Sequence, residues 1–290
     1  MNHRRKAFTV LVFLFALSLM ISVANARVDL LTSAFESEWI DLDQNGVQLT
    51  RTYSSRSTHN GIFGYGWCSP LEAEIILPNL ALQECDRRTQ LTLGQSVQRI
   101  DDTYVVRGSG KSLRVFDGAS GRLVQIGFPT GKSLNLEYDR GGLLQDAATG
   151  EGLKMRFRFD AQARKVRRIE LSTGTNLEFD YQGLDLTRAL NSWTNTYRFT
   201  YDSLHNLTQI SYPDQSSEDI VYNTDRDQAV LFRGRNGCRE NYNYANPLPQ
   251  RMISEATKYC DGRDPEHLKL EIETDRIIFT RNGVMKEYAR

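Results

Sequence analysis

Hydrophobic and polar residues alternate strictly in several short segments in the middle of the chain. Every second position is apolar or aromatic, and polar or charged residues fill the gaps. The clearest segments contain Leu134, Leu136 and Tyr138; Met155, Phe157 and Phe159; Leu177, Phe179 and Tyr181; Tyr197, Phe199 and Tyr201. A period of two that is rich in aromatic residues predicts β-strands with one buried face.

An aromatic residue followed by Asp or Asn recurs at nearly constant intervals in the same region. The couples are Phe116-Asp117, Tyr138-Asp139, Phe159-Asp160, Phe179-Asp180, Tyr201-Asp202, Tyr222-Asn223 and Tyr242-Asn243. Successive couples are separated by 22, 21, 20, 22, 21 and 20 residues, which indicates a structural repeat. Because the short side chain of Asp or Asn bonds to backbone N–H groups, we predict that each couple ends a strand and opens a turn.

A second pattern follows the turns. Leu123, Ile126, Pro129 and Gly131 recur as Leu207, Ile210, Pro213 and Gln215. Each repeat is therefore predicted to be a hairpin of two strands. We predict an all-β fold in which tandem hairpins share an antiparallel sheet, because a lone hairpin is barely stable and neighbouring hairpins bury a continuous aromatic face.

The hairpins resemble the YD repeat of the RHS family, in which Tyr-Asp is followed by Gly-Asn-Leu, Ile and Pro-Asp-Gly. The nearest copy is residues 201–207 (Tyr-Asp-Ser-Leu-His-Asn-Leu) with Ile210 and Pro213-Asp214, although His205 and Gln215 stand where Gly is usual. Residues 49–55 (Leu-Thr-Arg-Thr-Tyr-Ser-Ser) and 61–67 (Gly-Ile-Phe-Gly-Tyr-Gly-Trp) are similar to the entry segment that precedes the repeats in bacterial members.

The resemblance implies strands wound into a spiral, which in long members closes into a hollow shell around a toxin or other cargo. This chain has about seven units, and we expect neither the Asp-Pro-containing self-cleavage motif nor a toxin domain after them. We therefore expect an open, curved or spiral antiparallel sheet, a partial RHS-type shell. The family is also associated with carbohydrate binding, adhesion and contact-dependent competition.

The first 26 residues differ from the rest of the chain. Residues 4–6 (Arg-Arg-Lys) precede an apolar run from Ala7 to Val23, and Ala24-Asn25-Ala26 has the small-x-small pattern of a cleavage site. This order predicts a secretory signal peptide, with a membrane anchor as the alternative. We expect an exported protein that is periplasmic, secreted or attached to the cell surface, without a later transmembrane segment.

Four segments follow from these patterns. They are a signal peptide (1–26), an N-terminal entry region (27–110), a YD-repeat sheet (111–237), and a disulfide-pinned hairpin with terminal strands (238–290).

Four cysteines, Cys68, Cys85, Cys238 and Cys260, are expected to form disulfides in an oxidising compartment. Of the three possible connectivities we favour Cys68–Cys85 and Cys238–Cys260, because each pair brackets a predicted hairpin. A metal site is the alternative, but the chain has no CxxC or HxxxH spacing, so we expect neither a metal nor a cofactor.

Charge excludes one class of partner and suggests another. Lys and Arg together number 36, as do Asp and Glu, and this balance argues against nucleic-acid binding. The densest basic cluster contains Arg156, Arg158, Arg164, Lys165, Arg167 and Arg168. We interpret this cluster as a solvated surface that protects a sheet edge, with a patch for an anionic partner such as acidic polysaccharide or lipid headgroups as the alternative.

No pattern in the chain predicts catalysis. Residues 108–112 (Gly-Ser-Gly-Lys-Ser) and 127–133 (Gly-Phe-Pro-Thr-Gly-Lys-Ser) imitate a phosphate-binding loop, but both lack its first Gly and its helix, so we predict hairpin turns. The chain has no GxSxG motif, and the regularly spaced carboxylates Asp117, Asp139, Asp160, Asp180 and Asp202 are explained as turn openers.

Three functions are compatible with these observations. The first is an exported, non-catalytic YD-repeat scaffold that binds a cell-surface glycan or another exported protein. The second is a partial or truncated RHS shell component of a toxin-delivery system. The third is a polysaccharide hydrolase or lyase.

Overall fold

The computed structural model describes residues 26–108, 112–248 and 250–289. The expected signal peptide therefore lies outside the described residues, except for Ala26. In the described part of the chain the secondary structure consists of 28 β-strands and one 3-10 helix, Pro70–Glu72. The all-β class predicted from the alternating pattern is confirmed.

The strands before the repeats are short, apart from two. They are β1 (Ala26–Val28), β2 (Phe35–Gln44), β3 (Val47–Ser54), β4 (Asn60–Gly61), β5 (Gly64–Tyr65), β6 (Trp67–Cys68), β7 (Glu74–Ile76), β8 (Ala81–Glu84), β9 (Arg87–Gln90), β10 (Val97–Ile100) and β11 (Thr103–Arg107).

The remaining strands form successive hairpins. They are β12 (Leu113–Asp117), β13 (Leu123–Gly127), β14 (Ser133–Tyr138), β15 (Leu144–Thr149), β16 (Lys154–Phe159), β17 (Val166–Leu171), β18 (Asn176–Gln182), β19 (Asp185–Leu190), β20 (Thr196–Tyr201), β21 (Leu207–Ser211), β22 (Ser217–Asn223), β23 (Gln228–Arg233), β24 (Arg239–Leu248), β25 (Arg251–Tyr259), β26 (Glu266–Ile272), β27 (Arg276–Arg281) and β28 (Val284–Ala289).

The chain divides into two compact units. The larger unit is Ser37–Ser216, and the smaller unit combines the described residues up to Glu36 with those from Ser217 onward. In the larger unit, β10 to β21 follow one another in sheet order, and β7, β8 and β9 form a separate small sheet. In the smaller unit, β22 to β28 follow one another in the same way. Among the described strands, neither order returns to its first strand, so the antiparallel sheets are open.

Each of six hairpins carries a β-bulge beside an aromatic residue. The residues that follow the register shift are Phe116, Tyr138, Phe159, Tyr181, Tyr201 and Tyr222. Their partners on the second strand are Leu123, Leu144, Val166, Leu186, Leu207 and Ala229. A bulge adds one residue to one strand and increases its twist, so each repeat bends its hairpin at the same position.

The structure corrects two of the seven predicted couples. Asp180 does not end its strand, because β18 continues to Gln182 and the bulge comes before Tyr181. This hairpin closes through only two residues, Gly183 and Leu184, and the positive φ of Gly183 (61°) allows the tight turn. Asn243 likewise lies inside β24, which continues to Leu248, because the β24–β25 hairpin is longer than the others.

A tyrosine hydroxyl repeatedly donates a hydrogen bond to the hairpin that precedes it. The Tyr138 hydroxyl donates to the carbonyl oxygen of Leu123 at 2.8 Å, and that of Tyr181 donates to Val166 at 2.9 Å. In the smaller unit, Tyr244 donates to Ala229 at 2.8 Å. Each bond spans 15 residues, so the same contact joins one hairpin to the next.

These tyrosines predict a loss of stability at high pH. Burial raises the pKa of Tyr138 from 10.0 to about 12 and also raises that of Tyr181. Below pH 10 the phenol is neutral in the folded and unfolded chains, and its stabilising effect is complete. Between pH 10 and about 12 only the unfolded chain ionises, so the free energy of unfolding should fall as pH rises through this window.

Urea unfolding at a series of pH values across this window measures the effect. The Tyr138→Phe variant lacks the titrating group, so its free energy of unfolding should fall less steeply with pH. Equal slopes for Tyr138→Phe and the unaltered chain would contradict the assignment.

Candidate functional site

The arginine of the segment Leu-Thr-Arg-Thr-Tyr is buried in the larger unit. Arg51 on β3 has no exposed surface, and its Nη2 donates to Asp41 Oδ1 on β2 at 3.0 Å. Its guanidinium lies 4.5 Å from the ring centre of Trp67 and 5.2 Å from that of Phe179. A charge without contact with water is stabilised here by one carboxylate and by aromatic faces, so Arg51 is part of the core.

Two aromatic residues attach the entry segment to the hairpin β20–β21. Trp67 is completely buried, and its Nε1 donates to the Tyr201 hydroxyl at 2.9 Å. The Tyr53 hydroxyl donates to the carbonyl oxygen of His205 at 3.1 Å and accepts from the backbone N–H of Leu207 at 2.9 Å. The entry segment thus supplies side chains that cover the aromatic face of the sheet.

Most of the repeated acidic residues have the structural role that the sequence predicts. Asp117 Oδ1 accepts from the N–H of Ser120 at 2.7 Å, and Asp160 Oδ1 accepts from the N–H of Ala163 at 2.9 Å. The Ser120 hydroxyl, which donates to Asp117 Oδ1 at 2.6 Å, lowers the pKa of Asp117 most, followed by the Ser120 N–H, and the N–H groups of Ala163 and Gln162 lower the pKa of Asp160. Three further side chains accept equivalent turn bonds through Oδ1, each 2.9 Å long. The donors are the N–H of Leu143 to Asp139, those of Leu204 and Asn206 to Asp202, and that of Asp225 to Asn223.

Asp180 has a different role. It lies on β18, where its Oδ2 accepts from Nη1 of Arg188 at 2.9 Å and its Oδ1 lies 3.7 Å from Nη1 of Arg167. Asp180 therefore balances surface charge on neighbouring strands, and it does not open a turn.

The six residues of the predicted basic cluster do not form one surface. Lys165 is 3% exposed, and its Nζ donates to the side chain of Asn60 and the carbonyl oxygen of Gly61. Burial lowers the pKa of this lysine. Arg164 lies in the turn with a positive φ of 53°, and its Nη2 is 3.4 Å from the carbonyl oxygen of Gly141.

The other four residues of the cluster are exposed arginines on β16 and β17, and each has a carboxylate neighbour. The nitrogen–oxygen distances are 2.9 Å for Arg156–Asp146, 3.0 Å for Arg158–Glu170, 3.8 Å for Arg167–Asp160 and 3.4 Å for Arg168–Glu178. The alternation of charges along this face is typical of a solvated surface and leaves little excess positive field for an anionic partner.

The disulfides are those favoured from the sequence. Cys68 bonds to Cys85, and Cys238 bonds to Cys260. His59, Glu72 and Cys85 bring possible metal-ligand atoms within 4.8 Å of one another. The sulfur of Cys85 is in a disulfide, however, and Glu72 already accepts from His59 Nε2 and from the N–H of Ile62, so this cluster lacks a thiolate ligand.

Removing the second disulfide should destabilise the smaller unit. The Cys238–Cys260 bond closes a separation of 22 residues, and loss of such a cross-link costs about 3 kcal/mol through the entropy of the unfolded chain. We expect the double variant Cys238→Ser, Cys260→Ser to unfold at correspondingly lower urea concentration, as measured by circular dichroism. An unchanged midpoint under non-reducing conditions would contradict this expectation.

The segment 127–133 is a turn, as predicted. β13 ends at Gly127, β14 begins at Ser133, and the N–H of Phe128 donates to the carbonyl oxygen of Lys132 at 2.9 Å. Residues 109–111 of the other glycine-rich segment lie outside the described residues.

The smaller unit contains an open groove that sequence reasoning missed. Its volume is about 520 Å³, and it is lined by Ser217, Asp219, Arg233, Gly234, Gly237, Arg239, Tyr259, Cys260 and Asp261. Arg233 and Arg239 flank the turn Gly-Arg-Asn-Gly-Cys symmetrically, and in a hairpin this spacing sets them opposite each other. The equal spacing of these two arginines from the turn is the sequence feature from which this part of the groove could have been predicted.

Comparison with known proteins identifies one family model and several distant structures. Residues 27–114 match the model described as Domain of unknown function (DUF6531). Comparison with curated proteins gives no significant match. No helix in the described part of the chain is long and apolar enough to cross a membrane.

Three solved structures illustrate the similarity. A TcdB2-TccC3-Cdc42 crystal structure is 12% identical over 88% of this chain and 14% of that chain, with a TM-score of 0.33. A TcdB2-TccC3 crystal structure is 12% identical over 91% of this chain and 15% of that chain, with a TM-score of 0.31. A structure of a Photorhabdus luminescens Tc holotoxin pore is 11% identical over 85% of this chain and 20% of that chain, with a TM-score of 0.22. This chain therefore spans only a small part of the length of the proteins that it matches.

Proposed function

We propose that this chain is an exported, non-catalytic YD-repeat protein of the RHS type, whose sheets are a scaffold for binding a cell-surface glycan or another exported protein. The observation that carries the proposal is the structural use of the repeated residues. The aromatic residues follow the bulge in each hairpin, the Tyr138 and Tyr181 hydroxyls bond to the preceding hairpin, and the turn carboxylates bond to backbone N–H groups. Residues with a repeated structural role are not available as a unique catalytic pair.

Export is part of the proposal. The predicted signal peptide and the two disulfides support it, because disulfides persist in oxidising compartments and are rare in the cytosol. The DUF6531 match over residues 27–114 adds support for an entry region like that of RHS proteins.

Binding is assigned to the groove of the smaller unit. It is an open concave surface on which several polar and charged groups converge, and convergent polar groups fix the orientation of a bound ligand. The basic cluster on β16 and β17 is a weaker candidate, because neighbouring carboxylates already balance its arginines.

A retention experiment with the immobilised, purified chain tests this function. Surface polymers from the producing cells are passed over the chain, either untreated, digested with protease, or oxidised with periodate to destroy sugar rings. Saturable retention that is lost after periodate indicates a glycan ligand, and loss after protease indicates a protein ligand. No retention in any arm, or release of shortened glycan products, would overturn the proposal.

A second candidate is a component of a larger RHS-type shell. The strand β28 pairs only with β27 among the described strands, and Val284 and Met285 on it are 67% and 62% exposed. An edge of this kind can accept a further strand from another polypeptide. Co-purification of the chain with a second exported protein at fixed stoichiometry would favour this candidate over a free scaffold.

A further inference from the structure

We propose that the groove of the smaller unit binds an acidic sugar and that Arg233 and Arg239 hold its carboxylate. The inference rests on the proposed function, because it names the ligand class of the same surface. The ligand class follows from three features of the groove: an arginine pair that forms no ion pair within the described chain, an exposed aromatic ring beside it, and two carboxylates in its lining.

The strand register sets the two arginines side by side. Arg233 on β23 is directly opposite Arg239 on β24, and both side chains are exposed. Residues opposite each other in an antiparallel pair have Cβ atoms about 4.5–5.5 Å apart, and like charges in this position repel. Within the described chain, neither guanidinium has a carboxylate within ion-pair distance. A bound anion would relieve this repulsion.

A second opposed arginine pair shows what this one lacks. Arg158 on β16 is directly opposite Arg168 on β17. There, Glu170 lies 3.0 Å from Arg158 and Glu178 lies 3.4 Å from Arg168. The guanidiniums of that pair form ion pairs within the protein, whereas those of the groove pair form none within the described chain and are available to a ligand carboxylate. Two adjacent guanidiniums suit the two oxygens of a carboxylate, because each presents N–H donors in a planar fork.

The neighbours of the pair favour a sugar over a simple anion. Asp219 is opposite Arg233, and Tyr259 is opposite Arg239, so four adjacent strands present these side chains on one face. The Arg239 guanidinium lies 5.3 Å from the ring centre of Tyr259, and 41% of Tyr259 is exposed. The exposed ring can pack against the apolar face of a sugar, and the carboxylates of Asp219 and Asp261 can accept its hydroxyls.

The disulfide holds this arrangement in place. Cys238 precedes Arg239 and Cys260 follows Tyr259, so the disulfide lies next to this residue pair at the end of the hairpin away from its turn, and its Cα atoms are 4.3 Å apart. A site that is fixed before binding loses less conformational entropy when the ligand arrives. Phosphate or sulfate alone would use the arginines but not the tyrosine or the acids, so a uronic acid uses more of the groove.

Titration calorimetry with a trimer of galacturonic acid tests the proposal on the purified chain. The matched ligand is the methyl-esterified trimer, which keeps the rings and hydroxyls but lacks the charges. The matched protein control is Arg226→Gln, which removes one exposed arginine from the β22–β23 turn outside the groove.

We expect Arg233→Gln and Arg239→Gln each to weaken binding of the acidic trimer about tenfold or more, because each removes charge-assisted hydrogen bonds. Arg226→Gln should leave the affinity for the acidic trimer unchanged. The unaltered chain should bind the methyl-esterified trimer no more tightly than the Arg233→Gln and Arg239→Gln variants bind the acidic trimer. Equal affinity for acid and ester would overturn the proposal, as would equal weakening by Arg226→Gln or binding of sulfate alone as tight as that of the trimer.

Failure of this inference differs from failure of the proposed function. If the trimer does not bind but surface polymers are still retained by the unaltered chain and by Arg233→Gln equally, the acidic-sugar site is wrong and the scaffold function stands. If no surface polymer is retained at all, the proposed function is wrong.

Discussion

The variant Asp41→Ala is expected to lower the free energy of unfolding by about 3–5 kcal/mol, because it leaves a buried guanidinium without its counter-charge. Arg51 is fully buried, and Asp41 is its carboxylate partner through two hydrogen bonds. The Nη1 of Arg51 already lacks a hydrogen-bond partner among the described residues. Removing the carboxylate would therefore leave the charge with aromatic faces alone.

Urea unfolding followed by tryptophan fluorescence measures this effect, since Trp39, Trp67 and Trp193 all lie in the larger unit. The control is the double variant Asp41→Leu, Arg51→Met, which removes both charges and keeps the volume. It should recover most of the lost stability, because a buried ion pair can often be replaced by apolar residues at little cost. If Asp41→Ala and the double variant were equally unstable, packing rather than charge would explain the loss.

The second large effect is expected for Trp67→Ala, which should cost about 3–5 kcal/mol through loss of buried area and formation of a cavity. Trp67 has no exposed surface, and its ring centre lies 5.3 Å from Tyr53 and 5.2 Å from Phe199. Because these contacts join β6 to the hairpin β20–β21 and to β3, the variant should weaken docking of the entry segment on the repeats.

Circular dichroism during urea unfolding measures this loss, and Trp67→Phe separates its parts. Phenylalanine keeps an aromatic ring but cannot donate to the Tyr201 hydroxyl, which the indole nitrogen reaches at 2.9 Å. We expect Trp67→Phe to be intermediate in stability. The Trp67→Ala variant would contradict the account if its unfolding midpoint matched that of the unaltered chain.

The sequence predicted the class of the fold because alternation and repeat length are local properties. Period-two segments such as Leu134 to Tyr138 do form strands, and the carboxylates of Asp117 and Asp160 do bond within turns. These features depend on neighbours within a few residues, so a single sequence reports them well.

Features that depend on strand register were not predicted. Phe179 and Tyr181 both occupy inward positions of β18, and the sequence cannot decide which of them follows the bulge. Only the length of the following turn, two residues at Gly183 and Leu184, settles the choice. The predicted position of the aromatic residue in this repeat, Phe179, was therefore wrong by two residues, because Tyr181 follows the bulge.

The candidate site depended on contacts between distant segments. Lys165 belongs to a basic stretch in sequence, yet it is buried against Asn60 and Gly61, more than a hundred residues earlier. The groove was missed because its members come from four strands, and only the pairing of Arg233 with Arg239 was within reach of local reasoning.

The most direct test of the repeat as a bulged hairpin is a solution NMR measurement of cross-strand NOEs in β18–β19. We predict NOEs from Tyr181 to Leu186 and from Phe179 to Ala189, which match the register of the other repeats. NOEs that join Phe179 to Leu186 would instead place the bulge at the Phe-Asp couple. That result would contradict the account, in which Tyr181 is the aromatic residue that follows the bulge and β18 continues past the Phe-Asp couple.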